Sequence, residues 1–157
     1  MDQPEVPPLQ TAFLMRLQVV LAPAQVVGLT PNGERRIYSA MGGRFAGPGL
    51  AGEVLPGTVD WWLRRPDESA MLDVRVTLRT ADQALIYVTY RGLQRIPLSV
   101  RERLTRGEIV DPVDYYFRTT PVFETGDDRY AWLNDVVAVG VGELTGDGVA
   151  YMIYHVL

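Results

Sequence analysis

The fold is decided by the segment Met71-Leu72-Asp73-Val74-Arg75-Val76-Thr77-Leu78-Arg79-Thr80, which alternates between apolar and polar side chains from Leu72 onward. This period of two predicts a β-strand with one apolar face. After a turn at Ala81-Asp82-Gln83, residues 84–91 alternate in the same way. Two alternating segments joined by a short turn predict an antiparallel hairpin.

Further segments with strand patterns lie on both sides of this hairpin. They are residues 11–21, 35–41, 59–64, 115–125, 131–143 and 149–157. Turn signals separate several of them, including Asn32-Gly33 and Thr145-Gly146-Asp147-Gly148. A single segment, residues 97–107, predicts a helix, with Ser99 as its N-cap and Gly107 at its end. Because strands and helices do not alternate, a parallel sheet is excluded.

Eight or more short strands with short connections predict an all-β protein. Because such a chain has to protect its sheet edges, we expect an antiparallel β-barrel of roughly eight to ten strands with one short helix. A two-sheet β-sandwich is the alternative. Residues 1–10 are predicted to form a flexible tail, and residues 11–157 a single barrel domain.

A glycine-dense segment, residues 42–57, holds six glycines and two prolines. Glycine at this density predicts bulges, sharp barrel corners or a close approach of the backbone to a ligand. No G-x-G-x-x-G motif stands between a hydrophobic strand and a helix, so the segment does not predict a dinucleotide site.

Composition excludes several chemistries. All 15 basic residues are arginine, so Schiff-base catalysis and a P-loop lysine are impossible. The chain has no cysteine and one histidine, His155, which excludes thiol nucleophiles, zinc–cysteine sites and sites with two imidazoles. We therefore expect no metal and no cofactor.

Charge and hydropathy bear on partners and location. The net charge of −4 argues against nucleic acid as a partner. No apolar run reaches the length of a membrane span, and the acidic, proline-containing N-terminus is unlike a secretory signal. We expect a cytoplasmic protein that contacts neither nucleic acid nor a membrane.

Five blocks follow one another in a distinctive order: residues 42–57 leading into Asp60-Trp61, then 72–78, 85–92, 115–125 and 130–134. In these blocks the chain resembles the bacterial family of domain of unknown function 3237 over nearly its whole length. The resemblance implies a β-barrel of calycin type. It implies no substrate and no catalytic residues. Ala81-Asp82-Gln83 stands where the family more typically has an Asp-Gly turn.

Two carboxylates are candidate catalytic residues, Asp60 and Glu124. Asp60 precedes Trp61 and Trp62, and a carboxylate beside indole rings loses solvation, which raises its pKa toward values useful for proton transfer. Glu124 lies six residues after Arg118 in one predicted strand, on the same face. Each carboxylate has a structural alternative: Asp60 could cap a loop, and Glu124 could form an ion pair with Arg118.

Candidate ligand-binding residues are aromatic or carry hydrogen-bond donors. They are Trp61, Arg75, Tyr90, Tyr116, Arg118, Trp132 and Asn134. An aromatic platform with an amide suits a flat ring, and a guanidinium makes forked bonds to a carboxylate. We expect Asp60, Arg118, Glu124, Trp132 and Asn134 to converge in one cavity, with Arg75 and Tyr90 contributing from the central hairpin. Which face of that hairpin points inward stays open.

Three hypotheses of function follow. The first is a barrel that binds a small apolar, aromatic or carboxylate-bearing molecule. The second is a cofactor-free acid–base enzyme (an isomerase, lyase or cyclase) acting on such a molecule. The third is a structural oligomerisation module. The supply of aromatic side chains also predicts a homo-oligomer, most simply a dimer.

Overall fold

The computed structural model describes residues 4–157 of the chain. The strands are β1 (Thr11–Leu21), β2 (Gln25–Thr30), β3 (Gly33–Gly47), β4 (Leu50–Val54), β5 (Val59–Asp60), β6 (Leu63–Arg64), β7 (Ala70–Thr80), β8 (Leu85–Arg95), β9 (Tyr116–Glu124), β10 (Ala138–Thr145) and β11 (Gly148–Val156). One α-helix, α1 (Leu98–Thr105), and two 3₁₀ segments, Pro112–Asp114 and Asp128–Asp135, complete the elements.

Eight of the strands close into an antiparallel barrel. Their order is β1-β11-β10-β9-β8-β7-β4-β3, and β1 pairs with β3 to close the ring. The short strands β5 and β6 each lie between β3 and β7, and β2 extends from β3 as a hairpin. The predicted antiparallel barrel is therefore confirmed, and closure excludes the alternative of two separate sheets.

The central hairpin of β7 and β8 has the predicted alternation. Leu72, Val74, Val76 and Leu78 are all buried, whereas Asp73 and its neighbours at odd positions lie toward the outside. The apolar face of β7 therefore lines the interior. This arrangement answers the question that alternation alone left open.

The barrel interior differs between its two ends. One end is filled by fully buried side chains, among them Met15, Phe45 and Ile153, and Leu133 from the second 3₁₀ segment is also fully buried. The opposite end is formed by the end of β1, the start of β7, the end of β8 and the turn between β10 and β11. Helix α1 follows directly after β8 at this second end. Among residues 4–157, no helix is long and apolar enough to cross a membrane.

Two local predictions were wrong. Residues 131–135 belong to the 3₁₀ segment Asp128–Asp135 and not to a strand, because the Asp127 side chain caps the segment by accepting from the Arg129 amide at 3.0 Å. Strand β10 begins only at Ala138. Helix α1 has Pro97 and not Ser99 at its N-cap, and no side chain caps it. Proline's fixed φ suits the entry into a helix even where no hydroxyl caps it.

The glycine-dense segment continues β3 and forms its hairpin with β4. A register shift between Val20 and Leu21 marks a bulge opposite this part of β3. A Cβ added to Gly52 would collide with the backbone carbonyl of Arg79 in β7. The glycines therefore permit bulging and close contact between strands, whereas none of residues 42–57 lines the cavity described below.

Candidate active site

A cavity of about 600 Å³ opens at the end of the barrel beside α1. Its apolar wall comes from β1, β7, the segment after β8, α1, β10 and β11. This wall includes Val19, Leu21, Leu72, Val74, Ile96, Leu104, Leu144 and Val149. Polar and aromatic groups are set into it, namely Tyr38, Asp60, Trp62, Gln94, Tyr90 and Tyr151. An apolar cavity with a few convergent polar groups is the usual form of a small-molecule site.

Asp60 points into this cavity because of its strand register. In β5 it is paired with Tyr38 of β3 on one side and with Val74 of β7 on the other. Directly paired residues of antiparallel strands share a face, and Val74 faces inward. The Oδ1 atom of Asp60 accepts a hydrogen bond from the Asp73 amide at 3.2 Å.

Burial raises the pKa of the Asp60 carboxyl from 3.8 to about 7. The negative charge of Asp73 also raises this pKa, whereas the hydrogen bond from the Asp73 amide and the charge of Arg35 lower it. Near neutral pH the carboxyl is therefore present in both its protonated and its ionised form. A general acid or base works best when its pKa lies near the pH of the reaction.

Two tyrosines meet across the cavity. Tyr90 of β8 is paired with Val74, and Tyr151 projects from β11 on the opposite wall. Their ring centroids lie 5.2 Å apart in an edge-to-face arrangement. Burial raises the pKa of both phenols. A side-chain hydrogen bond between them lowers the pKa of Tyr90 and raises that of Tyr151, and the charge of Asp60 raises both. Both hydroxyls therefore stay protonated at neutral pH and can donate hydrogen bonds.

Gln94 and Trp62 fix each other at the cavity wall. The Trp62 Nε1 donates to Gln94 Oε1 at 3.1 Å, and both residues are buried. Indole nitrogen is only a donor, so the amide oxygen of Gln94 must face it. The NH₂ group of Gln94 is consequently left to donate elsewhere, and Gln94 lines the cavity.

Two arginines lie at the rim of the cavity. The Arg64 guanidinium lies over the Trp62 ring at 5.2 Å and pairs with Glu34 at 3.2 Å. Arg101 of α1 pairs through Nη1 with Glu68 at 3.0 Å. The Nε of Arg101 is buried and has no hydrogen-bond partner among residues 4–157.

Of the residues predicted from sequence, Asp60 and Tyr90 line this cavity. The predicted convergence is wrong for Arg118 and Tyr116, because even-numbered residues of β9 lie on the outer face of the barrel. There the Arg118 guanidinium lies 4.9 Å from the Tyr116 ring, and both residues line a separate outer groove between β8, β9 and β10. Glu124 shares this outer face, as its spacing from Arg118 predicted, and it is exposed.

Arg75 and Trp61 also lie outside the cavity. Arg75 is exposed on the outer face of β7, with its Nη1 3.4 Å from Asp73 Oδ1. Trp61 is 42% exposed, because the neighbouring Trp62 takes the inward position. The two tryptophans interrupt the predicted strand 59–64 between β5 and β6, and of the two only Trp62 lines the cavity.

Trp132 and Asn134 lie in the second 3₁₀ segment and do not line the cavity. The Asn134 side chain accepts from the Thr125 amide at 2.8 Å and donates to the Thr125 carbonyl at 3.0 Å. Trp132 is 43% exposed. The aromatic platform was predicted on the assumption that Trp132 and Asn134 share one face of a strand, and a 3₁₀ segment does not give them a common face.

Sequence reasoning missed five cavity residues, namely Tyr38, Gln94, Tyr151, Arg64 and Arg101. One signal for Gln94 was available, because it lies four positions after Tyr90 and therefore on the same face of β8. The two arginines gave no such signal, since their position depends on how α1 and β6 pack over the barrel mouth.

Metal binding has no support at this site. Among residues 4–157, no three histidine, aspartate or glutamate side chains come together as a possible ion site. The groups that do converge are one carboxyl of raised pKa and several uncharged donors. Such a set can move a proton and can stabilise negative charge on an oxygen atom.

Comparisons with known proteins agree with this fold. A protein of the UPF0311 group from Rhodopseudomonas palustris is 35% identical over 151 residues, which cover 96% of this chain and 99% of that protein. The crystal structure of a conserved R. palustris protein of unknown function aligns with a TM-score of 0.90 at 35% identity, over 97% of this chain and all of the other.

Two further solved structures have the same fold. A β-barrel-like protein from Acinetobacter baumannii aligns with a TM-score of 0.83 at 38% identity, over 99% of this chain and all of that one. A chain described as an enzyme from Penicillium herquei aligns with a TM-score of 0.74 over 99% of this chain and all of that one. At 20% identity, this last likeness concerns the fold alone. The model of the family described as "Protein of unknown function (DUF3237)" matches residues 7–156, and the chain belongs to this family.

Proposed function

We propose that the protein is a cofactor-free enzyme that transfers a proton on a small, largely apolar molecule bound in the barrel. Asp60 is the general base, and the hydroxyls of Tyr90 and Tyr151 donate hydrogen bonds to an oxygen that becomes negative. The reaction class is proton abstraction from a carbon next to a carbonyl group, which includes isomerisation, elimination and ring closure.

The position of Asp60 carries this proposal. A carboxyl that served only the fold would be expected to be ionised and paired, since an unpaired buried charge destabilises the protein. Asp60 instead lies in a cavity with a pKa raised to about 7 and with no ion pair to any of residues 4–157. Strongly perturbed carboxyls in cavities are frequent at active sites.

The tyrosine hydroxyls supply the second requirement. Removal of a proton next to a carbonyl moves the electron pair of the C–H bond onto the carbonyl oxygen, and the Asp60 carboxylate becomes a carboxylic acid. Donors that are already in place stabilise this oxyanion. Tyr90 and Tyr151 meet each other at 5.2 Å between ring centroids and both line the cavity that holds Asp60. The NH₂ group of Gln94 is a third donor on the same wall.

The test is hydrogen–deuterium exchange on a probe ketone, 2-tetralone, followed by NMR in deuterated buffer. Its flat ring suits the apolar wall, and its hydrogens beside the carbonyl are removable by a base. We expect the wild-type protein to accelerate exchange above the buffer rate and Asp60→Asn to abolish the acceleration.

A matched control is Asp147→Asn. Asp147 also lines the cavity, but it lies in the turn between β10 and β11, where Thr145 donates to its Oδ1 at 3.0 Å. We expect this variant to retain exchange. Equal exchange in wild type and Asp60→Asn would reject Asp60 as the base.

A second candidate function, binding without chemistry, is favoured by the apolar character of the cavity wall. In that case 2-tetralone would stabilise the protein in a thermal-shift measurement, because a ligand that binds only the native state raises its stability. Binding without any exchange above the buffer rate would support the binding protein over the enzyme.

A further inference from the structure

The amide of Gln94 has a hydrogen-bond donor that the fold does not use. Its Oε1 atom accepts from Trp62 Nε1 at 3.1 Å, and an indole nitrogen can only donate, so the NH₂ group is the part of the amide turned away from Trp62. Among residues 4–157, Arg101 Nε is the only side-chain nitrogen or oxygen that is both enclosed by protein and without a partner. The NH₂ group of Gln94 has no partner there either, and it is therefore open to the cavity that Gln94 lines.

This NH₂ group lies nearer the cavity mouth than the groups that would transfer a proton. Gln94 is paired with Ala70 at the start of β7, whereas Tyr90 is paired with Val74. Val74 is also the residue paired with Asp60. Tyr90 and Gln94 point to the same face of β8, and their Cα atoms are roughly 13 Å apart along the strand. Donors with this separation reach two different atoms of one ligand.

We infer that the substrate is a flat, uncharged molecule with an acceptor oxygen at each end, and that Gln94 selects it by donating to the second oxygen. This inference rests on the proposed function, because the first oxygen is the carbonyl that Tyr90 and Tyr151 would bind beside Asp60. A ketone, ester or amide carbonyl fits the second position, since each accepts from an N–H group without carrying a charge.

The charges around the mouth favour an uncharged acceptor over an anion. The guanidinium of Arg101 pairs with Glu68 at 3.0 Å. That of Arg64 pairs with Glu34 at 3.2 Å, and Asp147 adds a carboxylate to the lining. A ligand carboxylate would therefore lose its hydration in an apolar cavity without gaining a cation that is not already paired, and an unpaired buried charge is costly. The donor that remains is an amide, which suits a carbonyl.

Aromatic side chains connect the two levels of the cavity and favour a flat ring between them. Tyr38 is paired with Asp60, and its ring meets that of Trp62 edge to face with the centroids 6.1 Å apart. Trp62 is in turn hydrogen-bonded to Gln94, and both rings line the cavity. Aromatic side chains pack well against another flat ring, and a cavity of about 600 Å³ is large enough for a molecule of fused rings.

The test compares the binding of two probes of the same shape by isothermal titration calorimetry. One is 6-acetyl-2-tetralone, which has oxygens at opposite ends of two fused rings. The other is 6-isopropenyl-2-tetralone, in which a CH₂ group replaces the acetyl oxygen. We expect wild type to bind the acetyl compound at least about fivefold more tightly, because the isopropenyl compound leaves the Gln94 donor buried without an acceptor.

Gln94→Met should lose this preference, since methionine keeps the length of the side chain without the donor. The substitution also removes the acceptor of Trp62 Nε1. A double variant, Gln94→Met with Trp62→Phe, removes both partners together, which disturbs a fold less than leaving one of them unpaired. The double variant should show no preference either, and circular dichroism establishes that both variants are folded.

Thr105→Val is the matched control at the cavity mouth. Thr105 lines the same cavity, but its hydroxyl already donates to the Arg101 carbonyl at 2.8 Å. Valine keeps the shape of the side chain, so this variant should retain the preference of wild type for the acetyl compound.

Three results would overturn the inference. They are equal affinity of wild type for the two probes, a preference that persists in the folded Gln94→Met or double variant, and no binding of either probe at millimolar concentration. The proposed function fails separately, since it depends on the loss of 2-tetralone exchange in Asp60→Asn. A preference for the acetyl compound without any exchange would leave Gln94 as the specificity residue of a binding protein.

Discussion

Asp60 and Tyr90 lie in one inward-facing row of the barrel and are both paired with Val74, which stands between them. Neighbouring strands are about 4.8 Å apart, so the two main chains are separated by roughly 10 Å. The long side chain of Tyr90 crosses toward Tyr151, and the cavity lies between these groups. Strand register alone thus places a carboxyl group and a phenol hydroxyl on two sides of one small space.

The pH dependence of proton exchange should follow the ionisation of Asp60. Because only the carboxylate form accepts a proton, kcat/KM for 2-tetralone exchange should rise with pH and level off above the pKa of about 7. The measurement is the exchange rate across pH after subtraction of the buffer rate. A profile that is flat from pH 5 to pH 8 would contradict Asp60 as the base.

The same carboxyl should destabilise the folded protein at higher pH. Its pKa is 3.8 when unperturbed and about 7 in the fold, so the folded state binds more protons between these values. The Asp60 carboxyl therefore makes its full contribution to the free energy of unfolding below pH 4. This contribution, at most about 4 kcal/mol, is lost as pH rises through 7.

The Asp60→Asn substitution removes this loss and preserves an oxygen that can accept from the Asp73 amide. The variant should match wild type near pH 4 and should be more stable at pH 8 in urea unfolding monitored by circular dichroism. Comparing variant with wild type at each pH cancels the contribution of other carboxyls. A variant less stable than wild type at pH 8 would contradict the raised pKa.

Much of the barrel was predictable because its signals are local. The alternation in residues 71–80, the Asn32-Gly33 turn and the turn before Gly148 each depend on a few neighbouring residues, and each lies where expected. The prediction of a strand around Trp132 was wrong. The segment has a strand-like pattern, but the Asp127 side chain caps it and the Asn134 side chain is hydrogen-bonded to the backbone.

The candidate site was predictable only in part. The neighbours of Asp60 in the sequence, Trp61 and Trp62, indicated a desolvated carboxyl, and its pKa is raised by burial. The prediction that Arg118 and Glu124 point into the cavity was wrong, because alternation tells which residues share a face of a strand but not whether that face lies inside the barrel. The rim arginines depend on packing between distant segments, which no local pattern reports.

The hydroxyls of Tyr90 and Tyr151 should contribute more to the exchange rate than to the stability of the fold. Tyr90→Phe or Tyr151→Phe should lower 2-tetralone exchange roughly a hundredfold, the usual effect of removing one oxyanion donor. The edge-to-face ring contact remains in both variants, whereas the hydrogen bond between the two hydroxyls is lost, so the free energy of unfolding should fall by only about 1 kcal/mol. Tyr87→Phe, on the outer face of β8, is the control. Unchanged exchange in both cavity variants would mean that the oxyanion donors lie elsewhere.

The outer face of β8, β9 and β10 should bury apolar surface in a dimer. Tyr116, Val122 and Val139 are exposed by 47%, 62% and 37%, and exposed apolar patches commonly mark interfaces. Light scattering should give twice the 17.5 kDa monomer mass. Val122→Arg should shift the protein toward monomer, whereas Val27→Arg, on the projecting β2, should not. A monomer mass for wild type at micromolar concentration would reject the dimer.

Ligand occupancy should be visible in the fluorescence of one tryptophan. The chain has three tryptophans, and Trp62 alone lines the cavity, whereas Trp61 and Trp132 are exposed elsewhere. Addition of 2-tetralone should therefore quench part of the emission of wild type. The same quenching should persist in Trp132→Phe and Trp61→Phe and vanish in Trp62→Phe. Because Trp62→Phe also loses the 3.1 Å hydrogen bond to Gln94, circular dichroism has to establish that this variant is folded. Quenching that is lost in Trp132→Phe and kept in Trp62→Phe would place the ligand at the opposite end of the barrel.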